Sequence, residues 1–266
     1  MRRICTSQLL SAKKVRSFSF IRAEELTHMR NSLESSSRRP TILRDVLVQL
    51  VNNVMCRATF GDVCKDRSTL IEVILDITRS LSAFNMASYY PRLQFLNVIS
   101  GKKAMWLKRQ KQLDIILEDI LEEHRKNRPS GENDQEDADL DHPITNDNVK
   151  AIILDMLLVG TGTSSMILEW AMSELMRKPE IMKKVQAEVR AMAKGNTIEE
   201  TDIQNMHYLK MILKETFRLH GPPLLVPRLC REDCMVDGYD IPLNTRILIN
   251  AWACGTDPDS FIPERF

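Results

Sequence analysis

The sequence predicts a mainly α-helical fold with a small β element near its C-terminal end. Three observations predict it. Apolar residues recur at helical spacing over most of the chain, in stretches long enough to exclude strands. Residues 145–177 form the longest such stretch, about 50 Å at 1.5 Å per residue. Only after Gly221-Pro222-Pro223 does the texture change to short runs with hairpin signals.

Residues 1–35 read as helix, with Leu9, Leu10, Val15, Phe18 and Ile21 as the apolar stripe. Ser35-Ser36-Ser37 and Pro40 end it. Helices follow over about 43–60, closed by Gly61, and over 68–81. Pro91 and Gly101 bound a loop segment, and 102–125 is again helical. Residues 128–143 hold Pro, Gly and acids with almost nothing apolar, which predicts a mobile acidic linker that is not by itself a domain boundary. Thr145 is placed to cap the long helix, Pro179 to start the next and Gly195 to end it. A helix over 206–220 is stopped by Gly221-Pro222-Pro223. Val236-Asp237-Gly238-Tyr239 signals a hairpin and residues 246–250 a strand.

Composition sets limits. Hydrophobic residues make up 43% and charged residues 27% of 266, ordinary for a globular chain. A net charge of +1 gives no case for nucleic acid as a partner. No uninterrupted apolar run reaches the ~18–20 residues needed to span a bilayer, and the best stretch, 151–159, carries Asp155. The acid-free first 23 residues fit either a mitochondrial presequence or the start of an amphipathic helix. The six cysteines form no CxxC and lie at no zinc-ligand spacing, so free thiols are the first expectation, with a disulfide or metal role open.

Two segments carry chemistry. Val159-Gly160-Thr161-Gly162-Thr163-Ser164-Ser165 puts two glycines inside a helix, at ~1 kcal/mol each relative to alanine. Hydroxyls beside them can bond back to carbonyls and bend a helix. The pattern predicts a deformed helix beside a flat ligand, with close helix–helix packing at the glycines as the alternative. Glu215 and Arg218 share a helix face at i,i+3. Glu-x-x-Arg alone is weak, about one chance match per chain this long. Pro263-Glu264-Arg265-Phe266 is far rarer, on the order of 10⁻⁵ per position. A buried Glu215–Arg218–Arg265 cluster would lock a helix to a loop, not catalyse.

In this order the segments resemble a plant A-type (microsomal) cytochrome P450. Residues 1–13 resemble that family's C helix, 85–101 the segment before the G helix, and 154–179 the I helix. Residues 214–218 resemble the K helix, 222–228 the strand after it, and 263–266 the PERF motif. The resemblance implies one partial P450 domain over 1–266, with a long central I helix in a helix bundle. It implies a haem-thiolate monooxygenase that hydroxylates a small apolar plant metabolite such as a terpenoid, in secondary metabolism. Electrons would come from NADPH through a separate NADPH-cytochrome P450 reductase. The full-length parent would sit on the cytosolic face of the endoplasmic reticulum membrane, held by an N-terminal anchor that this chain lacks.

By the same resemblance, Thr163 matches the threonine that assists proton delivery during oxygen activation. Arg2 and Arg228 match partners of the haem propionates, and Gly160 stands with the cofactor-binding residues. Glu215, Arg218 and Arg265 match the structural triad. Ile152, Met156, Leu225 and Val226 fall where substrate contacts occur. Four departures stand out. Gly162 occupies the position of the family's usual acid. The stretch 255–261 is shorter than the family pattern at an Asp-Pro step. The anchor and the tryptophan before the C-helix arginine are absent, and so is the haem loop with its axial cysteine. Without that thiolate the chain alone is expected to be inactive, so the alternative reading is a truncated product, at most a helical interaction protein. An unrelated helical scaffold would place Arg265 far from Glu215.

Overall fold

The structure is a computed structural model, and it describes residues 5–36, 39–61, 67–82, 101–126, 145–193, 198–222, 225–255 and 260–266. The expected acidic linker 128–143, Arg2, Gly195 and the segment 85–100 lie outside the described residues. Two compact units are present, Met1–Ser164 and Ser165–Phe266.

In the first unit a π-helical turn, Cys5–Leu9, precedes α1 (Ala12–Ser17) and α2 (Ser19–Ser35). Then come α3 (Leu43–Phe60), α4 (Arg67–Ser82) and α5 (Lys102–Lys126). The first part of α6 (Asn146–Arg177) completes the unit. Its core is built at helical spacing. Leu70, Val73, Ile74 and Ile77 of α4 face Leu113, Leu117 and Ile120 of α5, joined by Cys56, Phe60 and Leu157. Outside this core Lys150 reaches Asp114 at 2.6 Å and Glu118 at 2.5 Å. Those two carboxylates raise the Lys150 pKa and tie α6 to α5.

The N-terminal stripe is a correction. Ser11 caps α1 and divides the expected single helix. Leu9, Leu10 and Val15 are exposed, and of the stripe only Ile21 is buried. What docks α2 is polar: Glu25, 5% exposed, accepts from Asn53 Nδ2 at 3.0 Å and Arg57 Nη1 at 2.9 Å on α3. Spacing alone cannot show which face of a helix finds a partner.

The second unit holds the rest of α6, α7 (Pro179–Met192), a 3-10 turn (Asp202–Asn205) and α8 (His207–His220). Leu175, Val185, Tyr208, Ile212, Leu219 and Phe261 form its core. β1 (Leu225–Leu229) pairs antiparallel with β4 (Arg246–Asn250), with Arg228 opposite Ile247. β2 (Cys234–Val236) and β3 (Tyr239–Ile241) form the expected hairpin. Its Asp237-Gly238 turn needs positive φ at both residues, and these are 51° and 80°. A short α9 (Ala251–Gly255) and a 3-10 turn (Pro263–Arg265) follow.

Thr145 caps α6 as expected, accepting from Asn148 N at 3.3 Å. The α6 helix runs without a break across both glycines, so the expected deformation does not interrupt it. By length and composition α6 could cross a membrane. An 18-residue window has a mean hydropathy of 1.7, which corrects the expectation that no stretch is long and apolar enough; Gly, Thr and Ser interspersed in the window break up its apolar run.

The start of α8 is capped from α7. Glu188 Oε1 and Oε2 accept from the backbone N–H groups of Tyr208 and Leu209 at 2.8 and 2.9 Å. These are orphan donors of the first helical turn, and a carboxylate also suits the positive end of the dipole. Replacing Glu188 by Ala should lower stability by about 1 kcal/mol. Urea unfolding with an unchanged slope would register the loss, and an unaltered midpoint would refute the cap.

Candidate functional site

The triad forms. One helical turn on α8 brings Arg218 onto Glu215 as a two-pronged pair, Nε to Oε2 and Nη2 to Oε1, both 2.8 Å. Glu215 is fully buried, so its remaining lone pairs need donors. Ile262 N–H supplies one at 2.9 Å, and Arg265 Nε stands 3.6 Å away. The Arg218 fork is used up on the same loop, donating to the carbonyls of Gly255 and of Ser260. This contact between Arg265 and Glu215 removes the unrelated scaffold as a reading.

The C-terminal turn is held by more than the triad. Glu264 Oε1 accepts from Lys184 Nζ of α7 at 2.6 Å and from Tyr208 OH of α8 at 3.0 Å. Lys178 Nζ donates to Phe261 O at 2.7 Å. Lys184 also sits over the Tyr208 ring, 4.1 Å from its centre, and Lys214 over Phe266 at 5.6 Å. Sequence reasoning missed Lys178, Lys184, Tyr208 and Glu264 because their partners are distant along the chain.

The electrostatics follow. Burial pushes the Glu215 carboxyl up, but the Arg218 hydrogen bonds, the Ile262 amide and the two arginine charges outweigh it, and its pKa falls below the ordinary value. The Lys184 hydrogen bond, first among several causes, lowers that of Glu264, and Glu264 raises that of Lys184 in return. Unfolded carboxyls bind protons at a higher pH than these folded ones. The stabilisation is therefore complete above the ordinary carboxylate range and is lost as pH falls through about 4 and below. Lys184 acts in the opposite sense: its contribution is complete below the ordinary lysine range and is lost above about pH 10. Thermal melts across pH should show an acid-side loss that Glu264→Gln makes shallower; an identical acid limb would refute the Glu264 share.

On α6, Ile152, Met156, Val159 and Thr163 follow 4-3-4 spacing, so they share one stripe. Val159 is 66% exposed and Thr163 is exposed, while Leu157 and Thr161 on the other side are buried. Thr163 Oγ1 donates to Val159 O at 2.6 Å, and Thr161 Oγ1 to Leu157 O at 2.8 Å. Gly160 has a packing reason: a Cβ there would lie 2.5 Å from Met55 Cε on α3. That favours the close-packing alternative for this glycine over a ligand contact.

In β1, side chains alternate between the two faces. Val226 and Arg228 therefore share a face, and Leu225 points to the other. Arg228 is exposed, and its guanidinium donates to Pro227 O at 3.0 Å. Among the described residues no carboxylate lies within ion-pair distance of it. The α6 stripe is half-buried at Ile152 and Met156 and exposed at Val159 and Thr163. Taken by itself, β1 presents the Arg228 guanidinium to solvent.

The sequence profile of the family described as Cytochrome P450 matches residues 1–266. The chain belongs to the cytochrome P450 family. It is 61% identical over 284 residues to costunolide synthase of Cichorium intybus, covering all of this chain and 57% of that protein. It is 56% identical to germacrene A acid 8-beta-hydroxylase of Helianthus annuus, again over the whole chain and 58% of the relative. This P450 chain thus spans somewhat over half the length of the curated relatives it matches. Its 266 residues align over 284 positions, so the chicory protein has residues where this chain has none. A zebra fish cytochrome P450 structure with abiraterone superposes with a TM-score of 0.74 at 23% identity, covering 94% of this chain and 61% of that one. That likeness shows a P450 fold for the mainly helical chain.

Proposed function

We propose that this chain belongs to a haem-thiolate monooxygenase that hydroxylates a small apolar plant terpenoid. Its two compact units would belong to one P450 domain. The observation that carries the reading is the stripe Ile152–Met156–Val159–Thr163 on α6, half-buried at its first two residues and exposed at the last two, with a hydroxyl at one end of an apolar track. The names of the relatives support the substrate class, since one is a hydroxylase of germacrene A acid and another a synthase of costunolide by name.

When bound, haem supplies activation of O₂ and insertion of one oxygen atom into the substrate. The chain's residues set the surroundings. Arg228 is free to pair with an acidic arm of the cofactor, and Arg2 is assigned the same task. Val226 lies on the Arg228 face, while Ile152 and Met156 offer apolar contact that orients a hydrocarbon and excludes water. Thr163 holds a proton at Oγ1, engaged with Val159 O, and its lone pairs can receive a hydrogen bond from water. Gly162 offers no carboxylate beside it, so proton supply rests on Thr163 and water. Glu215, Arg218 and Arg265 position the loop and touch no reacting atom. Electrons would come from NADPH through a cytochrome P450 reductase at the endoplasmic reticulum membrane.

The test uses the full-length protein containing this chain, loaded with haem and supplied with reductase, NADPH and a germacrene-type terpenoid. A reduced–carbon monoxide band at about 450 nm is expected from thiolate ligation. A product heavier by one oxygen atom should depend on NADPH. The band without any oxygenated terpenoid would overturn the substrate class, and absence of both would overturn the monooxygenase reading.

A further inference from the structure

Where β1 ends, two cysteines meet. Cys230 is buried, Cys234 is exposed, both are free thiols, and their sulfurs lie 3.5 Å apart. Neither backbone is loose. Cys230 N donates to Thr245 O at 3.0 Å, and Asn244 N donates to Cys230 O at 2.9 Å. Cys234 is fixed by its pairing with Ile241 across the hairpin. The Cys230 thiol donates to Glu232 O at 2.9 Å, so its sulfur lone pairs remain open to Cys234. Beside Cys234 lies a cleft of about 420 Å³, lined by Asp233, Met235, Asp240, Ile241 and Pro242. The fold thus holds two sulfurs close together with an open approach to one of them.

We propose that Cys230 and Cys234 form a reversible dithiol–disulfide couple, oxidised by a small hydroperoxide that reaches Cys234 through this cleft. The Cys234 thiolate attacks one peroxide oxygen. An S–O bond forms, the O–O bond breaks, and the departing hydroxide takes a proton to leave as water. Cys230 sulfur then attacks Cys234 sulfur. The S–S bond forms, the S–O bond breaks, and the Cys230 proton leaves with the oxygen as a second water. Two thiols and one hydrogen peroxide give one disulfide and two waters; the sulfurs lose two electrons and the peroxide gains them. A thiol reductant reverses the step by exchange.

The Cys234 thiol is pushed up by its hydrogen bond with Cys230, then by loss of solvent and by Cys230, Glu232 and Asp233. It therefore stays mostly protonated near neutrality, and the couple responds to sustained peroxide and not to traces. The bond would tie the β2–β3 hairpin to the end of β1, two residues from Arg228. This inference does not depend on the proposed monooxygenase activity.

The test treats the full chain with hydrogen peroxide, alkylates the remaining thiols and maps peptides by mass. A peptide joining Cys230 to Cys234, two hydrogens lighter and restored by dithiothreitol, is expected, with Cys56 still alkylated. Cys234→Ser should abolish it, and Cys234 is exposed, so that variant retains the fold. Against a glutathione redox buffer, the couple's equilibrium constant should be about tenfold higher in native buffer than in guanidinium, because the fold brings the sulfurs together. Equal constants in the two solvents would overturn the proposal. So would Cys234 over-oxidised to sulfinic acid while Cys230 remains alkylated.

Discussion

Replacing Glu215 by Ala is expected to unfold the second unit or drive it to aggregate. The substitution removes the acceptor of both Arg218 hydrogen bonds and of the Ile262 amide, and it leaves two arginines beside each other. Arg218 is 14% exposed, so the change takes a carboxylate away from a charge that is largely out of water. Breaking a buried pair from one side costs roughly 3–5 kcal/mol, about a fifth or more of a typical domain's stability of roughly 5–15 kcal/mol. Arg265 is 31% exposed and 3.6 Å away, so Arg265→Ala should cost much less. Glu215→Gln keeps the shape but presents an amide N–H to a guanidinium, and should fall between the two. Urea denaturation of the three variants gives the order. A Glu215→Ala protein as stable as the parent would show that the triad is not buried in solution.

Replacing Thr163 by Ala should spare the fold and damage the chemistry. Thr163 is exposed, and its hydroxyl bonds back along its own helix to Val159 O, so stability should change by no more than about 0.5 kcal/mol. If Thr163 delivers protons, its loss in the full-length, haem-loaded protein should lower product formed per NADPH by roughly ten- to a hundredfold. Hydrogen peroxide should rise in its place, and Thr163→Ser should restore most of the yield. Gly162 makes the effect larger, because no neighbouring carboxylate can take over. Unchanged product yield in Thr163→Ala would leave the hydroxyl with a purely local helical role.

Much of the fold could be read in the sequence because local chemistry decides it. The breakers Gly61, Pro179 and Gly221 mark helix ends, and Asp237-Gly238 specifies the hairpin turn. The triad was legible for a different reason: Glu215 and Arg218 pair by spacing, and only the family resemblance brought Arg265 to them. What stayed hidden depends on partners. Leu9, Leu10 and Val15 have helical spacing and yet stay exposed, because polar residues dock the neighbouring α2. The Lys184–Glu264–Tyr208 cluster joins residues up to 80 positions apart, beyond any local signal.

The reach of the triad also bears on how the second unit is made. Glu215 waits for an amide 47 residues downstream, and Arg218 for a carbonyl 42 residues away. Closing loops of that size costs entropy before any contact repays it, and such non-local contacts slow folding. During synthesis, α8 is complete while residues 260–265 do not yet exist. In that interval Glu215 lacks the Ile262 amide and Arg218 the Ser260 carbonyl, and the surface awaiting Phe261 and Pro263 lies open. A nascent chain paused there is the form of this protein most exposed to chaperones and to misassembly.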